Sequence, residues 1–167
     1  MTFWASLVGY QLVWFAAVIG AGRGLAWPGV VGMLVYASCQ LGIARRYKAD
    51  LSLIVTAMLL GLVVDGGLIH VGLATYAAPW PSPAHVPAWI LALWATFALT
   101  FNQSLRWLQT RLWAAALLGA MGGPLAYLGA SRGWQVVSFS DPPWLGLVWL
   151  GVGWGLATPL LAWLARR

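Results

Sequence analysis

The chain contains no glutamate, and its 167 residues include only three aspartates, two histidines and one cysteine. Each shortage excludes something. A lone Cys39 can form neither an intramolecular disulfide framework nor a Cys-rich metal motif. A zinc site takes about three or four ligands from Cys, His and carboxylate, and this stock is too small and too scattered to supply them. No metal, haem or other cofactor is therefore expected. Charge is scarce as well: 7% of residues are charged and 62% are hydrophobic. A soluble domain carries about 25% charged and about 45–50% apolar residues. At this length no water-soluble fold hides so much apolar surface, so the composition predicts one integral membrane domain over residues 1–167.

The net charge of +6 does not indicate a nucleic-acid partner. The nine cations are divided among short loops between apolar runs and form no continuous stripe, a pattern that anionic lipid headgroups and the positive-inside rule explain. No Lys or Arg precedes the first apolar run, whereas a cleavable signal peptide has a basic leading segment. That run is expected to persist as a helix.

Spanning the hydrocarbon takes about 20 mostly apolar residues. Six segments qualify: 3–21, 27–44, 51–73, 88–107, 112–130 and 144–164. The expected fold is an all-α polytopic bundle of about six transmembrane helices. With the N-terminus in the cytoplasm, the inner segments hold Arg45, Arg46, Lys48, Arg106, Arg111, Arg166 and Arg167, and the outer ones hold Arg23 and Arg132. This bias predicts that both termini are cytoplasmic. The outer loops are rich in Pro and Trp, as in Trp80-Pro81-Ser82-Pro83 and Asp141-Pro142-Pro143-Trp144. Most of the 13 Trp sit near segment ends and fit an interfacial belt, while Trp94, Trp149 and Trp154 lie deeper, as packing bulk or as an aromatic ligand wall. The very short inner loops predict tight hairpins of helices 2 with 3 and 4 with 5. Leu59-Leu60-Gly61 and Leu117-Leu118-Gly119, each followed by a Gly pair, hint that this hairpin is duplicated.

Small residues spaced by four let helices approach closely. Gly151 and Gly155 form such a pair, to pack within the monomer or to join two copies in a homodimer. Gly119, Gly123 and Tyr127 share another helical face. The cluster Gly20-Ala21-Gly22-Arg23-Gly24 is no phosphate loop, because it lacks the Lys-Ser/Thr ending and a preceding strand. No nucleophile motif of the G-x-S-x-G kind occurs, so catalysis is not favoured.

Asp65 is the residue that composition makes conspicuous. It sits in the middle of the run 51–73, where an ionised carboxylate costs about 2.5–3.5 kcal/mol on insertion scales. Such a group is either used or compensated by a partner. His70 is a poor direct partner, lying about 140° around the helix and about 7.5 Å along it. Polar side chains in hydrocarbon turn towards other helices or a wet cavity. Gln11, Tyr36, Asp65 and Thr96 are thus expected to meet near mid-depth, as a ligand site or as interhelical bonding. Gln40, Asn102, Gln103 and Arg106 are expected to cluster nearer the cytoplasm.

The stretch Phe101-Asn102-Gln103-Ser104-Leu105-Arg106-Trp107-Leu108, followed by Gly122-Gly123-Pro124-Leu125-Ala126-Tyr127, resembles a family of small bacterial inner-membrane proteins known only as a domain of unknown function. The resemblance covers most of the chain and assigns no catalytic residues. Genes of that family neighbour enzymes that modify fatty acyl chains, such as cyclopropane-fatty-acid-synthase-like proteins. It therefore implies a part in membrane lipid modification or stress response, with membrane lipids and a lipid-modifying enzyme as partners. From this comes the expectation of a lipid- or acyl-chain-binding accessory protein of the bacterial inner membrane. Two readings compete with it: a small proton-coupled transporter working through Asp65, and a structural subunit of a membrane complex.

Overall fold

The computed structural model describes residues 2–42 and 47–166. Arg45, Arg46 and Arg167 of the basic inner set, and the end of the second expected helix, lie outside the described residues. Six α-helices follow one another: α1 Phe3–Gly22, α2 Trp27–Leu41, α3 Tyr47–His70, α4 Ala88–Thr100, α5 Leu112–Trp134 and α6 Trp144–Leu164. Two strands interrupt the all-α pattern, β1 Ala74–Tyr76 after α3 and β2 Val137–Phe139 after α5. They pair antiparallel with Thr75 opposite Ser138 at the centre.

Local chemistry sets the helix ends. The Thr2 hydroxyl accepts a hydrogen bond from the Ala5 N–H at 3.3 Å and caps α1. Pro28 lies in the first turn of α2, where its missing N–H costs nothing. α5 closes on Gln135 in the left-handed region, φ 55°. α5 and α6 continue through Pro124 and Pro159.

Four segments are long and apolar enough to cross a membrane: Phe3–Gly22, Lys48–His70, Leu112–Trp134 and Trp144–Leu164. The other two helices are shorter. The expected helix over 88–107 ends at Thr100, and a separate 3₁₀ helix, Arg106–Thr110, follows. Thirteen residues reach only about 20 Å, against about 30 Å of hydrocarbon. The chain leaves the helix early because side chains satisfy the freed carbonyls. Gln40 Nε2 donates to Leu99 O at 2.7 Å and Gln109 Nε2 to Phe101 O at 3.0 Å. Irregular backbone at membrane depth is tolerated only with such internal partners.

α4 is the centre of the bundle. Ten of its 13 residues are buried, so its all-round apolar sequence faces protein rather than lipid. The large exposed side chains, among them Leu12, Leu34, Val63, Met121 and Leu156, lie on the other helices. They give these helices an apolar outer face suited to acyl chains.

The expected hairpins of helices 2 with 3 and 4 with 5 are not the main packing units. α5 packs on α6, α3 on α4 and α1 on α2, with α2 and α1 also lying against α4. A short loop joins helix ends without aligning helix lengths, and here the faces carrying Gly select the partners. A Cβ on Gly61 would lie 2.5 Å from Trp94 Cδ1, and one on Gly123 would lie 2.5 Å from Trp154 Cγ. The duplication hinted at in the sequence takes a different form. α3–β1–α4 and α5–β2–α6 repeat the same parts, each setting a Trp of its second helix against a Gly of its first, and the two Trp rings stack with centroids 4.0 Å apart. Gly151 and Gly155 face Ala120 of α5 at 3.3 and 3.2 Å, so α5 of the same chain occupies that small-residue face.

Candidate functional site

Asp65 lies one turn beyond Gly61 on α3 and is completely buried. Its carboxyl receives three hydrogen bonds. Tyr76 Oη donates to Oδ1 at 2.6 Å, Tyr127 Oη to the same oxygen at 2.5 Å, and Trp94 Nε1 to Oδ2 at 2.7 Å. The donors come from β1, α5 and α4, so one carboxyl ties four elements together. All three are neutral side chains. Burial, reinforced by the neighbouring carboxyl, pushes the Tyr76 phenol well above its ordinary range, which keeps it a donor. The aromatic rings pack as they bond: Tyr76 meets Tyr127 edge-on at 6.5 Å and Trp89 at 6.2 Å.

The mid-depth cluster expected around Asp65 does not form. Gln11 is exposed on the outer face of α1. Tyr36 bonds Ser6 Oγ at 2.9 Å, and Ser6 Oγ in turn meets Ser104 Oγ at 3.1 Å. Thr96 donates to Ala92 O of its own helix at 2.7 Å. Helical spacing places these residues at suitable depths, but Gln11 turns outward, and Tyr36 and Thr96 bond other partners than Asp65. His70 is exposed at the end of α3. Tyr76, Tyr127 and Trp94 are the partners that the sequence hid. Tyr127 carried the only usable signal, a phenol on the same apolar face as Gly119 and Gly123, which had to find an acceptor.

The inner polar residues are only partly brought together. Asn102 Nδ2 donates to Asp50 Oδ1 at 2.5 Å, and Gln109 Nε2 reaches Asn102 Oδ1 at 3.3 Å. Arg166 Nε bonds the Gln109 carbonyl. Gln40 is engaged with Leu99 O instead, and its Oε1 is buried without a hydrogen-bond partner. Gln103 is half-buried and Arg106 exposed, neither joined to this network by a hydrogen bond. Asp50 and Gln109 were not singled out in the sequence, because both sit beside short basic loops and read as solvated.

Beside the Asp65 hub lies a cleft of about 300 Å³, walled by α1, α4, α5 and one residue each of β2 and α6. Its lining is almost entirely apolar. Trp89, Leu93 and Phe97 form the floor on α4, Leu7, Tyr10 and Trp14 one wall on α1, and Leu118, Gly122 and Ala126 the other on α5. Trp94, Tyr127 and Trp154 also border it, whereas Asp65 does not. Trp154 Nε1 is buried and makes no hydrogen bond of acceptable geometry. Ser104, at one end, is the hydroxyl already bonded to Ser6. Of the three deep Trp, Trp94 and Trp154 border this cleft, while Trp149 packs against Gly67 and donates its Nε1–H to Val64 O at 2.8 Å.

Other chemistry is thin. No group of three or more His, Cys, Asp or Glu comes together among the described residues. Ser82 Oγ and His85 Nδ1 meet at 2.8 Å in the loop between β1 and α4, but they are three residues apart in an exposed turn contact, and no third group among the described residues orients the imidazole. No curated protein and no solved structure matches the chain. The family model described as Protein of unknown function (DUF2878) matches residues 3–160, and the chain belongs to that family.

Proposed function

We propose that this protein is a bacterial inner-membrane protein that holds an acyl chain, or an equally slender apolar molecule, in the cleft between α1, α4 and α5, as an accessory to membrane lipid modification. The cleft carries the proposal. Ligand sites have volumes of about 300–1,000 Å³ and are lined mainly by hydrophobic and aromatic side chains, and this cleft fits at the lower end. It runs from Val18 to Leu7 on α1 and from Ala130 to Leu118 on α5, about 16–18 Å at the helical rise. That is roughly half the hydrocarbon thickness, the depth of one leaflet. The link to lipid modification comes from the family resemblance, and the cytoplasmic placement of both termini from the distribution of Arg and Lys.

Proton-coupled transport through Asp65 has less support. Both carboxyl oxygens are engaged, and Asp65 does not border the cleft. The hub reads instead as the brace that holds α4 and α5 at the distance the cleft requires.

Gly122→Leu tests the proposal. A Cβ at Gly122 meets no atom within 4 Å, so the added side chain enters the cleft without displacing backbone. Native mass spectrometry of the protein released from membranes should show bound lipid on the wild type and at least ten-fold less on the variant. Equal occupancy, or no retained lipid on the wild type, defeats the reading. Acyl-chain composition of a deletion strain under membrane stress then tests the accessory role.

A further inference from the structure

We propose that the cleft selects lipids with an anionic phosphate headgroup, held at the cleft's inner mouth by Arg106 and Arg111; the inference rests on the acyl-chain reading above. The two ends of the cleft differ. Towards β2 it is shut by rings: Trp134 packs edge-on against Trp14 at 5.6 Å and against Phe15 at 5.8 Å. The Trp134 carbonyl lies 3.4 Å from where a Cβ on Gly22 would stand, so α1 and α5 nearly touch there. At the other end the lining stops at Ser104 and Leu105, and the next residue is Arg106. Arg106 opens the 3₁₀ helix and Arg111 precedes α5; both are exposed, and neither forms an ion pair among the described residues.

The chemistry of the two parts is complementary to a single amphiphile. The cleft offers a charged headgroup no ionic partner, since its lining holds no charged side chain and Ser104 is taken by Ser6. A chain bound there must leave its charged end at the open mouth. Arg106 directly follows the last lining residue of that end, Leu105, and Arg111 precedes α5, whose Leu118 also lines the cleft; both are exposed, and their planar donors suit phosphate oxygens. The nearby carboxyl, Asp50, is buried and bonded to Asn102, so it does not neutralise them. Trp107, exposed beside Arg106, sits where an interfacial indole is expected. Basic residues near a membrane surface attract anionic lipid by about five-fold each.

The test compares phosphatidylglycerol and phosphatidylcholine of identical chains, added to the delipidated protein and read by native mass spectrometry at low ionic strength. The wild type should prefer phosphatidylglycerol by about twenty-fold. Arg106→Gln with Arg111→Gln should bring that ratio close to one, chiefly by lowering phosphatidylglycerol occupancy, while leaving thermal unfolding unchanged. A ratio near one in the wild type, or a preference that survives the double substitution, overturns the inference. So does displacement of phosphatidylglycerol by chain-free glycerophosphoglycerol at equal concentration, which would make phosphate alone the ligand. If neither lipid is retained, the acyl-chain reading of the cleft fails first, and that outcome is distinct from equal retention of both.

Discussion

The helix seams and the cleft of this bundle use glycine in opposite ways. Between α3 and α6, a Cβ on Gly67 would lie 2.5 Å from Trp149 Cζ2, and one on Gly153 would lie 2.7 Å from Val64 Cγ1; between α5 and α6, a Cβ on Gly119 would lie 2.2 Å from Trp154 O. These glycines are filled space, with a ring or a neighbouring backbone where a side chain would be. Along the cleft, Gly122 meets nothing within 4 Å. Here the missing side chain is left as room. In a membrane, small residues are read as devices for close helix packing. In this protein the filled seams hold α3, α5 and α6 in one block, and at Gly122 the cleft wall keeps the space of a missing side chain.

The comparison can be broken most severely at the hub that keeps the two regions apart. Asp65→Leu strands two phenols and an indole without their acceptor in a buried site. It should lower stability by about 3–5 kcal/mol, seen as a large drop in unfolding temperature in detergent and loss of bound lipid together. Next comes a matched pair of adjacent residues. Gly123→Ala places its Cβ 2.5 Å from Trp154 Cγ and should cost about 1–3 kcal/mol through overpacking. Gly122→Ala, one position away, should be neutral or add up to about 1 kcal/mol through helix propensity. If the two behave alike, the distinction between filled and open glycines is wrong. The smallest effect is expected at Gln40→Leu. It removes the donor to Leu99 O but also an unpartnered buried oxygen, and the two should nearly cancel, leaving a change below about 1 kcal/mol in the same unfolding measurement.

Asp65 shows how far sequence reading reached into the site. Its scarcity marked it as a group that needed compensation, and it has three partners. Which partners could not be read, because Tyr76 lies past the expected end of the third span at residue 73, and only the pairing of β1 with β2 fixes it there. Composition and depth make Trp94 packing bulk or part of an aromatic wall, and neither reading uses its Nε1–H, which here donates to Asp65. Gln11, Tyr36 and Thr96 failed as a cluster for a related reason. Periodicity gives the depth and approximate face of a residue, but a hydroxyl can bond its own helix, as Thr96 does. The shortening of α4 was hidden likewise, since Asn102, Gln103 and Gln109 are compatible with either a polar helix end or a turn.

The sequence by itself determined the environment and the class of fold. An apolar content of 62% with 7% charge, in runs of membrane-spanning length, permits little besides a helical membrane bundle, because hydrocarbon leaves backbone groups no partner outside a helix. Tertiary structure alone decided which helix is central, which glycines are filled and where space remains. Those are properties of how side chains from distant segments meet. A Gly against Trp154 and a Gly against nothing are the same letter in the chain, and only the position of the facing helix tells them apart.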